Sequence, residues 1–312
     1  MMRVLVVGAG ATGGLIGARL REAGEEVTLL VRGRRAHQLA TQGLRLRSGG
    51  TETVSAIDFV QAPALPARGF FDLVVLTVKS DALDRAIEDF ASAVGPNSLV
   101  LPVLNGVAHD RVLVERFGRE RVLMGVARVV ASLDGDGVVQ ILGPLAELVF
   151  GQPGSAPERF ETIRAAFVRA GFHVLVTPDV ERALWQKWAF IASVGAVTVL
   201  GGGSVGAVAR VPGGRALGEG VLAEIAATFD AAGHALPVEF TAAQSSLLAD
   251  MSSTMTSSLY RDAVAARPTE HEGVLGALVA TAARQGVAVP LIQAALVRLR
   301  VLDAARTQEA GR

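Results

Sequence analysis

The residues Gly8-Ala9-Gly10-Ala11-Thr12-Gly13 have the spacing G-x-G-x-x-G, directly after the apolar run Arg3 to Val7 and directly before a helical pattern reaching about Ala23. In that context the glycines have separate jobs. Gly8 allows a tight turn, Gly10 lets the backbone approach a pyrophosphate, and Gly13 permits close packing of helix on sheet, while unpaired N–H groups at the helix start face the phosphates. A Gly-rich turn without a ligand shares these letters, but strand, loop and helix in this order point to a dinucleotide. The next strand, Val27 to Val31, ends in Arg32, with Arg34 and Arg35 close by and no acid after Glu26. An NAD site places Asp or Glu there for the ribose 2′-OH, whereas an NADP site places Arg there for the 2′-phosphate. NADPH is therefore the expected cofactor; an ordinary solvated row of arginines is the competing reading.

Reducing a carbonyl takes a hydride on carbon and a proton on oxygen, and a lysine whose pKa is lowered in a closed apolar site can give that proton near neutral pH. Lys187 is one of few lysines in an Arg-dominated chain, lies between Trp185 and Trp188, and precedes an uncharged stretch. On these residues alone it reads equally well as a surface lysine. Lys79 closes the run Val75-Leu76-Thr77-Val78, and Asn105 closes Leu101-Pro102-Val103-Leu104. Both stand at the ends of expected parallel strands, where α/β sheets bind ligands. Thr269-Glu270 and Ser258 have plain alternatives as helix-start residues.

The elements that must position these residues fall into two regimes. Short β-rich runs at Arg3 to Val7, Val27 to Val31, Leu73 to Val78, Leu99 to Leu104 and His173 to Val176 alternate with helical patterns, which implies βαβ units and a parallel sheet rather than an α/β barrel. Asp134-Gly135-Asp136-Gly137 reads as a turn between two further β-rich runs, an antiparallel extension of that sheet. After Thr177-Pro178-Asp179 only helical spacing remains, as in Gly218 to Ala232, Glu270 to Gln285 and Leu291 to Ala305. The expected fold class is α/β plus all-α: a Rossmann-type dinucleotide-binding domain over residues 1–177 and a helical substrate or catalytic domain over residues 178–312. The polar tail after Asp303 reads as frayed.

Composition narrows the function classes. The 312 residues are half hydrophobic, enough for a sizeable core, and 30 basic against 30 acidic residues give a formal net charge of zero. That balance offers no electrostatic footprint for nucleic acid or an anionic membrane. Zero cysteines exclude disulfides, iron–sulfur clusters and thiol nucleophiles, and suit a reducing cytoplasm. The charge-free stretch Trp188 to Ala209 is long enough to raise a membrane span, but its glycines and hydroxyl residues favour a core helix followed by a Gly-rich turn. Gly202-Gly203-Ser204-Val205-Gly206 fits the hydrolase spacing G-x-S-x-G, with His271 downstream, yet Pro212 and Gly213-Gly214 leave no room for the helix such an elbow needs. His37, His109, His173, His234 and His271 form no H-x-x-x-H pair, so no metal site is expected.

Taken in order, the Gly8 to Gly13 loop, the Lys79 and Asn105 strand ends, Leu184-Trp185-Gln186-Lys187-Trp188, and Ser257-Ser258-Leu259-Tyr260-Arg261-Asp262 with Arg267-Pro268-Thr269-Glu270 resemble the ketopantoate reductase (2-dehydropantoate 2-reductase) family over nearly the whole chain. The resemblance implies an NADP-binding Rossmann domain, a helical domain, and an active site in the cleft between them. It further implies that Gly8, Ala9, Gly10, Ala11, Thr12, Gly13, Arg32, Lys79, Asn105 and Ala131 face the cofactor. Lys187 would be the general acid, Asn105 and Ser258 would contact substrate, and Glu270 would sit beside both the reacting centre and the cofactor.

One departure bears on substrate. Family members acting on ketopantoate carry asparagines one and two turns after the lysine and another some ten residues on, where this chain has Ile191, Gly195 and about Val205. The resemblance implies NADPH-dependent reduction of a 2-keto acid to a 2-hydroxy acid, either ketopantoate to pantoate in pantothenate biosynthesis or, since losing those donors should weaken recognition of a hydroxylated substrate, a bulkier, more apolar 2-keto acid or related carbonyl compound lined by Ile191 and Gly195. An imine-reducing, opine-type dehydrogenase and a non-catalytic NADPH-binding sensor are the competing functions. A homodimer is compatible with the sequence, which carries no signal for oligomeric state.

Overall fold

The computed structural model describes residues 1–310, and the chain divides into two compact units. The first comprises Met1–Leu104 and His109–Ala183; the second comprises Asn105–Ala108 and Leu184 onward. The division therefore falls inside a helix, a few residues beyond the expected boundary at residue 177. It also assigns the short segment around Asn105 to the helical unit.

The first unit carries strands β1 (Arg3–Val7), β2 (Glu26–Leu30), β3 (Leu44–Ser48), β4 (Thr51–Ser55), β5 (Asp58–Val60), β6 (Phe71–Leu76), β7 (Val94–Pro102), β8 (Met124–Leu133), β9 (Val139–Gly151) and β10 (His173–Val176). Its helices are α1 (Ala11–Glu22), α2 (Gly33–Gln42), α3 (Leu83–Phe90), α4 (His109–Phe117) and α5 (Glu161–Arg169). One sheet runs β5-β2-β1-β6-β7, and every pairing in it is parallel. The chain leaves β1 toward β2 on one side and resumes at β6 on the other, so the loops after β1 and β6 flank the point where strand order reverses, the place where such sheets take ligands. Val4, Leu5, Val6, Leu73, Val74 and Val75 are fully buried, as strands covered on both faces require.

The expected antiparallel pair is present as β8 and β9, joined through Asp134–Gly137, but it does not lengthen the parallel sheet. It belongs to a second sheet of order β10-β9-β3-β4, with β8 also on β9. The β3–β4 hairpin turns at Gly49 and Gly50, both with positive φ, and was not anticipated because Arg45, Arg47, Thr51 and Thr53 interrupt any apolar run. β10 likewise pairs with β9, so His173 to Val176 serves this second sheet.

The second unit is helical, as expected: α6 (Val180–Gly201, entering it at Leu184), α7 (Val205–Arg210), α8 (Gly214–Ala231), α9 (Val238–Ala249), α10 (Ser258–Val264), α11 (Ala277–Arg284) and α12 (Pro290–Ala310), with a π-helical turn at Glu272–Gly276. The apolar helix α6 has the length and composition of a membrane span, yet 72% of its most apolar window is buried, the position of a core helix. Trp188, Ala189, Ala192 and Ala196 are at its centre, against Phe229 of α8 and Leu275 of the π-turn. Pro290 opens α12, where its missing N–H costs nothing. The next two backbone N–H groups, of Leu291 and Ile292, donate to the Glu224 carboxylate of α8 at 2.9 and 3.0 Å. The tail expected to fray after Asp303 is helical to Ala310, with Arg306 paired to Asp303 at 3.0 Å; its last two residues lie outside the described residues.

Candidate active site

The loop between β1 and α1 has the geometry that its glycines foretell. Gly8 has φ +96°, a conformation that favours glycine. A Cβ on Gly13 would lie 2.1 Å from the Gly8 carbonyl oxygen and 2.3 Å from Thr77 Oγ1, so only glycine lets α1 start this close to the sheet. A Cβ on Gly10, in contrast, would meet nothing within 4 Å. The cradle is thus filled behind and open in front. Gly10 caps α1 without a side-chain bond and no acid occupies the first turn, so the N–H groups of Ala11, Thr12 and Gly13 and the positive helix end suit a phosphate. Ala9 is buried in the wall of the loop.

Thr77, to which the sequence assigns no role, and Arg35, expected only beside the 2′-phosphate, hold this loop. Thr77, just past β6, donates its hydroxyl toward the carbonyls of Val7 at 3.0 Å and Gly8 at 2.9 Å. Arg35 on α2 donates Nε to the Ala9 carbonyl at 2.8 Å and Nη1 to the Gly137 carbonyl at 2.7 Å, tying the loop to the β8–β9 turn. Burial pushes the Arg35 pKa down, with nearby Asp134 opposing that shift. Its Nη2 is buried with no hydrogen-bond partner among the described residues. An orphaned cationic donor behind a loop with an open front fits an anionic dinucleotide. Among the described residues no His/Asp/Glu cluster could hold a metal ion.

The arginines that favoured NADPH do not act as a group. Arg32, between β2 and α2, places Nε 2.7 Å and Nη2 2.6 Å from one Asp89 carboxylate oxygen. Arg34 donates to the Gly135 carbonyl, and Arg35 is engaged as described. Lys79 is exposed, just before the short 3-10 turn Ser80–Ala82 that leads into α3. Ala131 lies on β8 opposite Ile141, beside the register shift after Val129.

In the second unit, Asn105 and Glu270 meet although 165 positions separate them: the Asn105 amide donates to Glu270 Oε2 at 3.1 Å. Gly106, with φ +81°, makes the approach possible, since a Cβ there would come within 2.9 Å of the Gly273 carbonyl oxygen. Glu270 directly precedes the helical segment, and its carbonyl accepts from the Val274 N–H at 3.1 Å. The π-turn sets Val274 to receive the Trp188 indole N–H on its carbonyl at 2.9 Å. The neighbour of Lys187 is thereby bonded to the turn that starts two residues after Glu270. Lys187 is half-buried on α6, and Ile191, one turn on, is half-buried too.

The remaining expected contacts lie along α6 and its neighbours. Gly195 is buried, and a Cβ there would sit 3.0 Å from Leu259 Cδ1, so α10 packs into the space expected to serve a substrate. Val205 is fully buried, its N–H bonded to the Met255 carbonyl at 2.9 Å. Ser258 is exposed at the first position of α10; the cap is Ser257, whose hydroxyl accepts from the Tyr260 N–H at 2.9 Å and bonds Thr198 at 2.8 Å. Ser204 caps the short α7 in an all-helical unit, with no strand before it, which removes the hydrolase elbow.

Residues 4–155 match the family described as ketopantoate reductase PanE/ApbA, and residues 179–303 match its C-terminal counterpart. An uncharacterized oxidoreductase of Bacillus subtilis, YkpB, is 31% identical over 97% of this chain and 99% of its own. The 2-dehydropantoate 2-reductase of Halobacterium salinarum is 30% identical over 97% of this chain and all of its own length. A D-mandelate dehydrogenase solved with NADH and anilino(oxo)acetate shares the fold, with TM-score 0.88 at 20% identity over 98% of this chain and all of that one. Two family matches that together span nearly the whole chain, on a loop and a helical unit of this construction, show that the chain belongs to the ketopantoate reductase family of oxidoreductases.

Proposed function

We propose that this protein reduces a 2-keto acid to the 2-hydroxy acid with NADPH, and that the acid is more apolar than ketopantoate. The observation that carries the reading is the Asn105–Glu270 hydrogen bond, which joins two of the expected site residues in the unit that also holds Lys187. The Gly8 to Gly13 loop would hold the pyrophosphate on the N–H groups of α1, with Arg32 toward the 2′-phosphate. Bound there, the nicotinamide supplies a hydride.

The chain's own residues handle the rest. Lys187, half-buried on an apolar helix beside two tryptophans, donates a proton to the ketone oxygen as negative charge develops there. Glu270 fixes the Asn105 amide, and the Trp188 bond to Val274 fixes the turn that presents Glu270. Ile191 replaces a hydrogen-bonding wall with an apolar one next to Lys187. A D-mandelate dehydrogenase of the same fold, solved with anilino(oxo)acetate, supports a pocket that takes an apolar substituent. The thiol-free composition supports a cytoplasmic setting.

NADPH consumption over a panel of 2-keto acids, with and without amines, tests the reading. Turnover with keto acids alone is expected. Turnover only when an amine is added would assign an imine reductase, and NADPH binding without turnover would assign a sensor.

A further inference from the structure

We propose that Asp89 sets the cofactor preference by competing with the 2′-phosphate for Arg32. The inference rests on the reading above, that a dinucleotide occupies the Gly8 to Gly13 loop with its 2′-position at Arg32. Arg32 turns two of its donors, Nε at 2.7 Å and Nη2 at 2.6 Å, onto the same oxygen of Asp89. The pair is not a loose surface contact. The Asp89 side chain is 20% exposed against 41% for Arg32, and α3, which carries it, is anchored by buried Leu83, Ala86, Ile87 and Phe90. The helix that carries the carboxylate is therefore anchored, and it keeps Asp89 beside Arg32.

Two penalties follow for a 2′-phosphate and neither for a 2′-hydroxyl. The phosphate must take over donors that the carboxylate already uses, and it must do so with a negative charge standing beside the guanidinium. The neutral hydroxyl of NADH meets no such repulsion. Arg34 donates to the Gly135 carbonyl, and Arg35 is turned to the Ala9 and Gly137 carbonyls with its remaining Nη2 buried behind the loop, so Arg32 is the arginine that carries the 2′-phosphate contact in this reading. The residue that gives NADPH its advantage thus carries an internal counter-ion that reduces it.

Calorimetric titration of NADPH and NADH against the unmutated protein, Asp89→Asn, Asp89→Ser and Arg32→Ala reads this directly, without turnover. Both Asp89 variants should bind NADPH roughly tenfold more tightly, with NADH affinity unchanged within about twofold, the scale of one partly screened charge pair. Arg32→Ala should weaken NADPH alone. The unchanged NADH affinity reports that each variant is folded, and two different replacements guard against a local defect in either. If Arg32→Ala weakens NADPH while neither Asp89 variant strengthens it, the competition is overturned and the cofactor site stands. If no variant alters the ratio of the two affinities, Arg32 does not meet the 2′-phosphate, and the NADPH reading falls together with the proposal.

Discussion

Lys187 and Lys79 are the only lysines among 30 basic residues, and both stand at positions that the family resemblance assigns to the site. In a chain that otherwise uses arginine throughout, that choice is itself chemical. A guanidinium stays protonated at any working pH, whereas an ammonium in an apolar site can give up its proton. Lys187→Ala is therefore expected to lower kcat by roughly 10²–10⁴-fold, the usual range for a lost general acid, while the Kd for NADPH stays nearly unchanged. Steady-state kinetics beside a binding titration separates the two effects; near-normal turnover would place the acid elsewhere. The glycines of the loop were legible residue by residue because each spacing carries a distinct steric demand, and Gly13 against the Gly8 carbonyl shows how strict that demand is. The Arg32–Asp89 pair was not legible. Residues 57 positions apart meet only through strand order, and nothing local in either segment announces it.

At the scale of elements, the structure shows how α2, the nucleotide loop and the β8–β9 turn act as one assembly through Arg35. Each of its charge-assisted bonds to the Ala9 and Gly137 carbonyls is worth on the order of 1.5–3 kcal/mol, partly offset by the desolvation that lowers its pKa. Arg35→Ala should lower the denaturant midpoint and weaken NADPH and NADH by the same factor, since it loosens the loop without touching the 2′-position. Titration with both cofactors checks this, and a change in their ratio would show that Arg35 reads the phosphate itself. The α6–α10 contact gives a second prediction. Replacing Gly195 by Asn gains a few tenths of a kcal/mol in helix propensity but forces the side chain onto Leu259, an overpacking cost of about 1–3 kcal/mol. Gly195→Asn should thus lower the midpoint without improving ketopantoate turnover, and Leu259→Ala, a buried truncation, should cost less in the Gly195→Asn protein than in the unmutated one. Period-2 and helical patterns revealed most elements. They missed β3, β4 and β5, whose arginines, threonines and acids dilute the apolar alternation, and they could not reveal that Leu259 fills the space above Gly195.

Across the whole molecule, the division into an α/β unit and a helical unit was readable from the switch in periodicity after Thr177, and the family match spans both. The assignment of Asn105 to the helical unit was not readable, because the segment 105–108 lies between β7 and α4, both parts of the first unit. Substrate choice turns on the residues that follow Lys187. In the proposed function, Ile191, half-buried one turn beyond Lys187, lines the substrate and has no donor for a hydroxylated acid. The most direct test is the ratio of kcat/KM for an unhydroxylated branched or aryl 2-keto acid to that for ketopantoate, measured with NADPH on the unmutated protein and on Ile191→Asn. The account predicts a ratio of one or more for the unmutated protein, shifted toward ketopantoate by up to about tenfold in Ile191→Asn, the worth of one modest hydrogen bond. A strong preference of the unmutated protein for ketopantoate would contradict it, and would mean that other polar groups have taken the place of the missing asparagines.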